Sequence, residues 1–172
     1  MKFKTKITTN ELFQFLMKHS YAGLSGKIGL VISLAAAVLF IKNITDFAGN
    51  ETKVIILGII ALLFTVINPL MLWMKAKQQK LTNPAYKNEM EYILTEDGID
   101  LQVADQKGGI PWDMIMKIVE THSLYILYTT RINAFLWPKK DMGDQENALI
   151  RFLLDHIDQH SVKLPKRMRS ER

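Results

Sequence analysis

The chain contains no cysteine among its 172 residues. Disulfide bonds and thiolate-based metal or redox sites are therefore excluded. It also lacks a G-x-S-x-G nucleophile motif, and its Gly108-Gly109 pair has no P-loop frame, which predicts a turn there. We therefore expect neither catalysis nor a cofactor.

Histidine is scarce too, and only His156 and His160 stand at a spacing that suits a shared site. On a helix this spacing of four places both rings on one side, where they could bind a metal in an enzyme. Ile157 follows His156, whereas a zincin helix has glutamate at that position. His156 also falls on the apolar side of the predicted helix, so we expect it to pack in a core, with metal binding as the alternative.

Charged residues are absent from one long stretch, residues 54–74. At about 1.5 Å per residue, a helix of this length spans roughly 30 Å, the hydrocarbon thickness of a bilayer. Lys53 and Lys75 flank the stretch, and Trp73 lies near its end, where indoles prefer the headgroup region. We predict a transmembrane helix, with a buried core helix as the alternative.

A second apolar segment covers residues 21–41 and is interrupted by Lys27, whose ammonium can extend to the headgroups. A signal peptide is the alternative because residues 35–37 are alanines, but they lie inside the apolar run rather than after it. The short connecting loop predicts an antiparallel hairpin over residues 21–83. We expect its second helix to continue to about residue 82, before Pro84 stops it.

Lysines are concentrated at the two outer ends of the hairpin, whereas the two in its loop are balanced by Asp46 and Glu51. The positive-inside rule then predicts that the chain crosses the membrane twice with both termini in the cytoplasm. The outer lysines are Lys2, Lys4, Lys6, Lys18, Lys27, Lys75, Lys77, Lys80 and Lys87.

Small and polar residues recur at helical spacing along both apolar segments. Such residues let helices approach closely in lipid, so we expect packing within the hairpin, with a homodimer face or a transport path as alternatives. Pro69 is expected to bend the second helix, and the Asn68 amide to satisfy a backbone group freed there. The candidate packing residues are Gly29, Ser33, Ala37, Gly58, Ala61, Thr65 and Asn68.

Residues 1–20 predict a strand and an amphipathic helix that Thr9 or Asn10 caps, because Phe3, Thr5 and Ile7 alternate with lysines. Whether this strand joins a later sheet is left open. Beyond residue 83 the chain shows short alternating segments and one amphipathic helix, capped by Asp144, from residue 145 to about 159. The predicted strands cover about 90–94, 99–103, 115–121, 124–129 and 132–137.

These elements predict an α+β membrane protein. Its C-terminal domain, residues 84–162, would be a pleckstrin-homology-like (PH-like) half-barrel closed by the last helix. Residues 163–172 form a basic tail. Within the domain, Asp97 and Gly98 are expected to form a hairpin turn with Gly98 at positive φ. Trp112 is expected to pack at the sheet edge near the membrane and Asp113 to cap the adjacent turn, with a ligand-facing pair of these two residues as the alternative.

Several segments occur together in a characteristic order: the two-span hairpin, Tyr92 before Asp97-Gly98, Ile110-Pro111-Trp112-Asp113, Ile118-Val119-Glu120-Thr121, and residues 135–140. In this set the chain resembles the YcxB-like family of small bacterial membrane proteins. The resemblance covers nearly the whole chain, but no single motif in it is specific. It implies the fold and a location in the bacterial inner membrane as a multi-pass protein, and it implies no activity.

We hypothesise that the domain binds a protein partner or anionic lipid headgroups, with the bilayer as anchor. A small oligomeric transporter or channel component is the alternative, and no nucleic-acid partner is expected. The candidate binding residues share positive charge or an interfacial ring: Trp137, Lys139, Lys140, Lys163, Lys166, Arg167 and Arg169.

Overall fold

A computed structural model describes residues 1–45, 47–158 and 162–165. The chain divides into two compact units. One unit combines Met1–Leu12 with Gln79–Arg172, and the other is Phe13–Gln78. The first twelve residues therefore belong to the same unit as the C-terminal part, although the hairpin separates them in sequence.

One antiparallel sheet has the strand order β1-β2-β3-β4. The N-terminal strand β1 does join it, because Phe3 lies opposite Tyr92 in the register. Side chains alternate between buried and exposed along β1, as expected for a sheet with one face in the core. The strands are β1 (Lys2–Thr5), β2 (Met90–Leu94), β3 (Gly98–Val103) and β4 (Gln106–Pro111).

Strand β4 was not predicted, since Gly108-Gly109 was expected to be a turn. The turn is instead at Ala104-Asp105, where Ala104 has a positive φ of 50°. Glycine suits position 109 within the strand because a Cβ there would lie 2.7 Å from an Asp100 carboxylate oxygen. The expectation of a turn at the two glycines is therefore wrong.

The second antiparallel sheet has the order β5-β6-β7. Every residue of its central strand is buried, so both faces of that strand are covered. Residue Lys163 forms a parallel bridge with Lys117 on the outer edge of β5, so the described C-terminal segment extends this sheet. The strands are β5 (Lys117–Glu120), β6 (Leu124–Tyr128) and β7 (Ala134–Pro138).

The last helix buries Leu149 and Leu153 in a core that contains residues of both sheets. Within the described residues, the sheets do not close into a barrel. The helix begins one residue later than predicted, and Asp144 does not cap it: its N-cap is Gln145, which makes no side-chain capping hydrogen bond. The closing helices are α6 (Lys139–Met142) and α7 (Glu146–His156).

Helix α1 (Thr9–Ala22) begins with a capping box. The Thr8 amide and hydroxyl donate to the Glu11 carboxylate, at 2.7 and 2.9 Å, and the Glu11 amide donates back to the Thr8 hydroxyl at 3.3 Å. The cap is therefore Thr8 rather than Thr9 or Asn10. Leu12, Phe15 and Leu16 form the buried side of this amphipathic helix.

The hairpin has two helices that are long and apolar enough to cross a membrane, Leu24–Asn43 and Glu51–Thr82. Only 22% and 11% of their most apolar windows are buried, so most of their apolar side chains face outward. The first begins at Leu24 rather than at residue 21, because Tyr21 belongs to α1. The remaining helices are α2 (Leu24–Asn43), α3 (Glu51–Leu62), α4 (Asn68–Thr82) and α5 (Pro84–Lys87), with a π-helical segment at Leu63–Ile67.

Gly98 is required by close packing rather than by a turn. It does not have the predicted positive φ, and a Cβ there would lie 2.1 Å from the Ile110 carbonyl oxygen. We expect Gly98→Ala to reduce the free energy of unfolding by roughly 1–3 kcal/mol, as overpacking does.

The matched control is Gly108→Ala on the neighbouring strand, where no described atom lies within 4 Å of the added methyl group. Thermal unfolding of both variants in detergent would test the difference. Equal losses at the two positions would contradict the packing explanation.

Candidate binding site

A cavity of about 540 Å³ opens in the unit that contains both sheets. Three segments form it: the β2–β3 turn, the short turn after β4, and the end of α7. We call it the Trp112 pocket. Its lining residues are Glu96, Asp97, Pro111, Trp112, Asp113, Ile115, His156, Asp158 and Val162.

Trp112 holds two of these segments together. Its indole is buried, as predicted, and its Nε1–H donates to the carbonyls of Thr95 and Glu96, each at 3.1 Å. The indole therefore fixes the β2–β3 turn against the 3₁₀ turn at Trp112–Met114. Asp113 does not cap this turn, because the N-cap is Pro111 and no described side chain bonds there.

An aromatic group forms one wall of the pocket. The His156 ring stacks on Phe152 with centroids 4.2 Å apart, and it lies 5.6 Å from the Trp112 ring. His156 Nδ1 is 2.8 Å from the Phe152 carbonyl oxygen. A carbonyl can only accept a hydrogen bond, so Nδ1 carries a hydrogen. His156 therefore packs against Phe152, but it is half-buried at the pocket rather than enclosed in the core.

The metal-binding alternative needs His160 as well as His156. His160 lies outside the described residues. Among the residues that the structure describes, no group of three or more histidine, aspartate or glutamate side chains could hold a metal ion.

Negative charge distinguishes the Trp112 pocket within a chain whose overall net charge is +5. Glu96, Asp97, Asp113 and Asp158 line it, and no lysine or arginine is among its described lining residues. A pocket with an aromatic wall and several carboxylates favours a cationic group over an anionic one. Sequence reasoning raised Trp112 and Asp113 as a ligand-facing pair only as an alternative, and it missed the other lining carboxylates because they come from distant segments.

The predicted binding residue Trp137 is fully buried. Its ring lies 5.1 Å from Phe3 and 5.6 Å from Tyr92, in the core between the sheets. The expectation that Trp137 meets lipid or a partner is therefore wrong. Neighbouring lysines and a proline suggested an interfacial ring, but β7 turns this side chain inward.

The two lysines after Trp137 are both engaged with carboxylates. Lys139 Nζ is 2.6 Å from a Glu120 oxygen and 4.7 Å from the centroid of the Tyr125 ring. Lys140 Nζ is 2.8 Å from a Glu11 oxygen, and the hydrogen bond to Glu11 raises the pKa of Lys140. These pairs reduce the positive charge available to an anionic ligand.

The basic tail is described only at its beginning. Lys163 pairs with β5 through its backbone, donating to the Met116 carbonyl and accepting from the Ile118 amide. Lys166, Arg167 and Arg169 lie outside the described residues.

Several of the candidate packing residues contact the neighbouring helix inside the hairpin. A Cβ at Gly29 would lie 2.4 Å from the Phe64 ring, and one at Gly58 would lie 3.1 Å from Phe40. Ser33 Oγ donates to the Ile60 carbonyl at 2.8 Å and accepts from the Phe64 amide at 3.3 Å. Packing within the hairpin is thus confirmed for these residues.

The remaining candidate packing residues differ in their burial and hydrogen bonds. Ala61 is buried, while Ala37 is only half-buried because Ala36 takes the inner position. Thr65 Oγ1 donates to the Ala61 carbonyl of its own helix at 2.5 Å, so its hydroxyl does not link the two helices.

Pro69 explains the π-helical segment that precedes it. The backbone N–H of Asn68 donates to the Leu63 carbonyl, five residues back. In that pattern the Phe64 carbonyl would accept from residue 69, but proline has no N–H. Instead, the Tyr21 hydroxyl donates to the Phe64 carbonyl at 2.5 Å. The side-chain amide of Asn68 donates in turn to the Tyr21 hydroxyl oxygen at 3.0 Å. Tyr21, not Asn68, satisfies the freed group.

Residues 94–153 match the model of the YcxB-like protein family. The resemblance inferred from the sequence is thereby confirmed over a segment that runs from the end of β2 into α7. No curated protein and no solved structure matches the chain. The Trp112 pocket includes residues inside this segment, such as Trp112, and residues beyond it, such as His156.

Removing Lys140 should destabilise the unit because Glu11 is 5% exposed and would lose its counter-charge. We expect Lys140→Ala to cost roughly 1–3 kcal/mol, whereas the control Lys4→Ala, from an exposed pair with Glu89, costs less than about 0.5 kcal/mol. Chemical denaturation would measure both.

The pH dependence has a defined sign. The Lys140 pKa is raised above its ordinary value of 10.5, so the pair contributes fully below that pH and its contribution is lost as the pH rises further. Equal stability of the two variants would contradict this account of Glu11.

A double-mutant cycle tests the role of Tyr21. In the natural background, Tyr21→Phe leaves the Phe64 carbonyl without its donor, at a cost of roughly 1–3 kcal/mol. In a Pro69→Ala background, residue 69 regains an N–H, so the same change should cost less than about half as much. Unfolding by dodecyl sulfate in micelles would measure both, and equal costs would disprove the link between Pro69 and Tyr21.

Proposed function

We propose that this is a non-catalytic bacterial inner-membrane protein whose hairpin anchors a cytoplasmic PH-like domain that binds a protein partner. The outward-facing apolar surface of the hairpin carries the proposal. Most side chains in its apolar windows are exposed, including Ile55, Ile59 and Val66. Monomeric soluble proteins rarely expose so large a contiguous apolar surface, and a bilayer would cover it.

Sheet architecture supports the PH-like assignment. A four-stranded and a three-stranded antiparallel sheet share one core, and the C-terminal helix α7 contributes to it. PH-like domains combine two such sheets with a helix at the C-terminal end. The hairpin is then an insertion between the first and second strands of that domain.

Lysine distribution supports the orientation. Lysines precede the hairpin at Lys18 and Lys27 and follow it at Lys75 and Lys77. The loop between the helices contains Lys42 and Lys53 with acidic residues nearby, so the bias favours both termini in the cytoplasm.

Charge pairing favours a protein partner over anionic headgroups. The Lys139 and Lys140 ammonium groups are held by Glu120 and Glu11. The open cavity on the same unit is lined with carboxylates, which repel phosphate. Headgroup binding remains the alternative outcome of the test below.

Photo-crosslinking in living cells tests the proposal. A photo-reactive residue at Met114, which is exposed beside the Trp112 pocket, should give a discrete adduct with a cytosolic protein. The control position is Ile132, an exposed residue on the β6–β7 turn. Adducts only with lipid would favour the headgroup alternative, and adducts with neither would contradict the binding function.

Membrane placement is tested separately. The chain should remain in the pellet after alkaline carbonate washing, and a C-terminal tag should resist protease added to spheroplasts. A soluble chain, or a tag cleaved from outside, would overturn the anchor or its orientation.

A further inference from the structure

We propose that the Trp112 pocket binds a lysine or arginine side chain from a basic segment of the partner protein. The inference rests on the protein partner of the proposed function and assigns the chemistry that such a partner must present. Three features of this unit support it: the cavity, the lining carboxylates that have no described lysine partner, and the fixed aromatic wall.

Three of the carboxylates that line the Trp112 pocket have no described lysine or arginine within ion-pair distance. Glu11 and Glu120 each have a lysine within 3 Å, and Glu89 and Glu91 form looser lysine pairs. Among the described residues, Glu96, Asp97 and Asp113 form no such pair, although lysine is abundant in the chain. Three unpaired carboxylates around one cavity create a negative potential that a cation would relieve.

The aromatic wall suits the same ligand. The Trp112 ring is fixed by two hydrogen bonds and flanked by His156, so it loses little conformational entropy when a ligand binds. A cation that approaches an indole ring gains electrostatic energy from it, and arginine does so most often. Ile115 and Val162 provide apolar contact for the methylene groups of such a side chain.

The cavity volume sets the scale of the ligand. At about 540 Å³ the pocket lies within the range of small-molecule sites and holds one or two long side chains. A folded surface cannot enter it, so we assign it to an extended basic segment whose side chains reach inward.

Titration of the full chain in nanodiscs of zwitterionic lipid tests the inference. The probe is a capped hexapeptide of alternating arginine and glycine, and its matched control replaces each arginine by uncharged, isosteric citrulline. We expect the arginine peptide to bind at least tenfold more tightly, with an affinity that falls as salt is added. Equal binding of the two peptides would overturn the inference.

Two charge-matched variants locate the binding. Glu96→Gln combined with Asp113→Asn should weaken binding of the arginine peptide about tenfold, as the loss of two exposed charge contacts predicts. Glu89→Gln combined with Asp105→Asn changes the net charge equally away from the pocket and should weaken it less than about twofold. Equal losses would show non-specific attraction and overturn the assignment.

The chain's own basic tail is the competing occupant. Deletion of residues 166–172 should leave peptide affinity unchanged if the pocket serves a partner. A clear gain in affinity would assign the pocket to the tail and overturn the partner assignment.

Failure of this inference is distinguishable from failure of the proposed function. If crosslinking from Met114 captures a protein equally in the natural chain and in the Glu96→Gln, Asp113→Asn variant, the pocket assignment fails and the binding function stands.

Discussion

The pairing of β1 with β2 is the constraint on which the rest of the fold depends. The entire hairpin separates these strands in sequence, yet Phe3 lies opposite Tyr92 and their rings stack with centroids 5.3 Å apart. The N-terminal ammonium adds a 2.8 Å hydrogen bond to the Leu94 carbonyl. Loop-closure entropy grows only slowly with loop length, so a buried aromatic cluster can offset it. The chain must leave this unit and return to it, so any membrane crossing by α2 requires a return crossing.

Sequence patterns predicted most elements because periodicity reports burial directly. The two apolar helices, β2, β3 and the strands of the second sheet follow from it, and a family match covers residues 94–153. Local composition misled where tertiary packing decides. Gly108-Gly109 has the composition of a turn but lies in a strand beside Asp100, and Trp137 resembles an interfacial residue but completes the aromatic core. At the Trp112 pocket, local sequence indicated only Trp112 and Asp113 as an alternative ligand-facing pair, because the other lining residues come from separate segments.

Within the hairpin, one missing N–H determines several contacts. Pro69 cannot donate, and the preceding turn widens into a π-helical segment that leaves the Phe64 carbonyl without a helical donor. An unsatisfied carbonyl is costly in apolar surroundings, so a hydroxyl from another helix becomes part of the fold. Tyr21 provides it from the end of α1, just before Gly23 separates α1 from α2. A tyrosine at the edge of an apolar segment thereby takes part in helix packing.

The charged residues that stabilise the fold of the domain are different from those that we propose bind a ligand. Buried Glu11 is compensated by Lys140 and by its capping contacts, so its charge contributes to folding. Glu96, Asp97 and Asp113 line one cavity without a lysine partner in the described part of the chain, and like charges held close together repel one another and lower stability. Functional sites are where such local rules are broken, because a ligand can compensate the charge. On this ground we propose that the recognition chemistry of this basic chain lies at the Trp112 pocket rather than at its lysines.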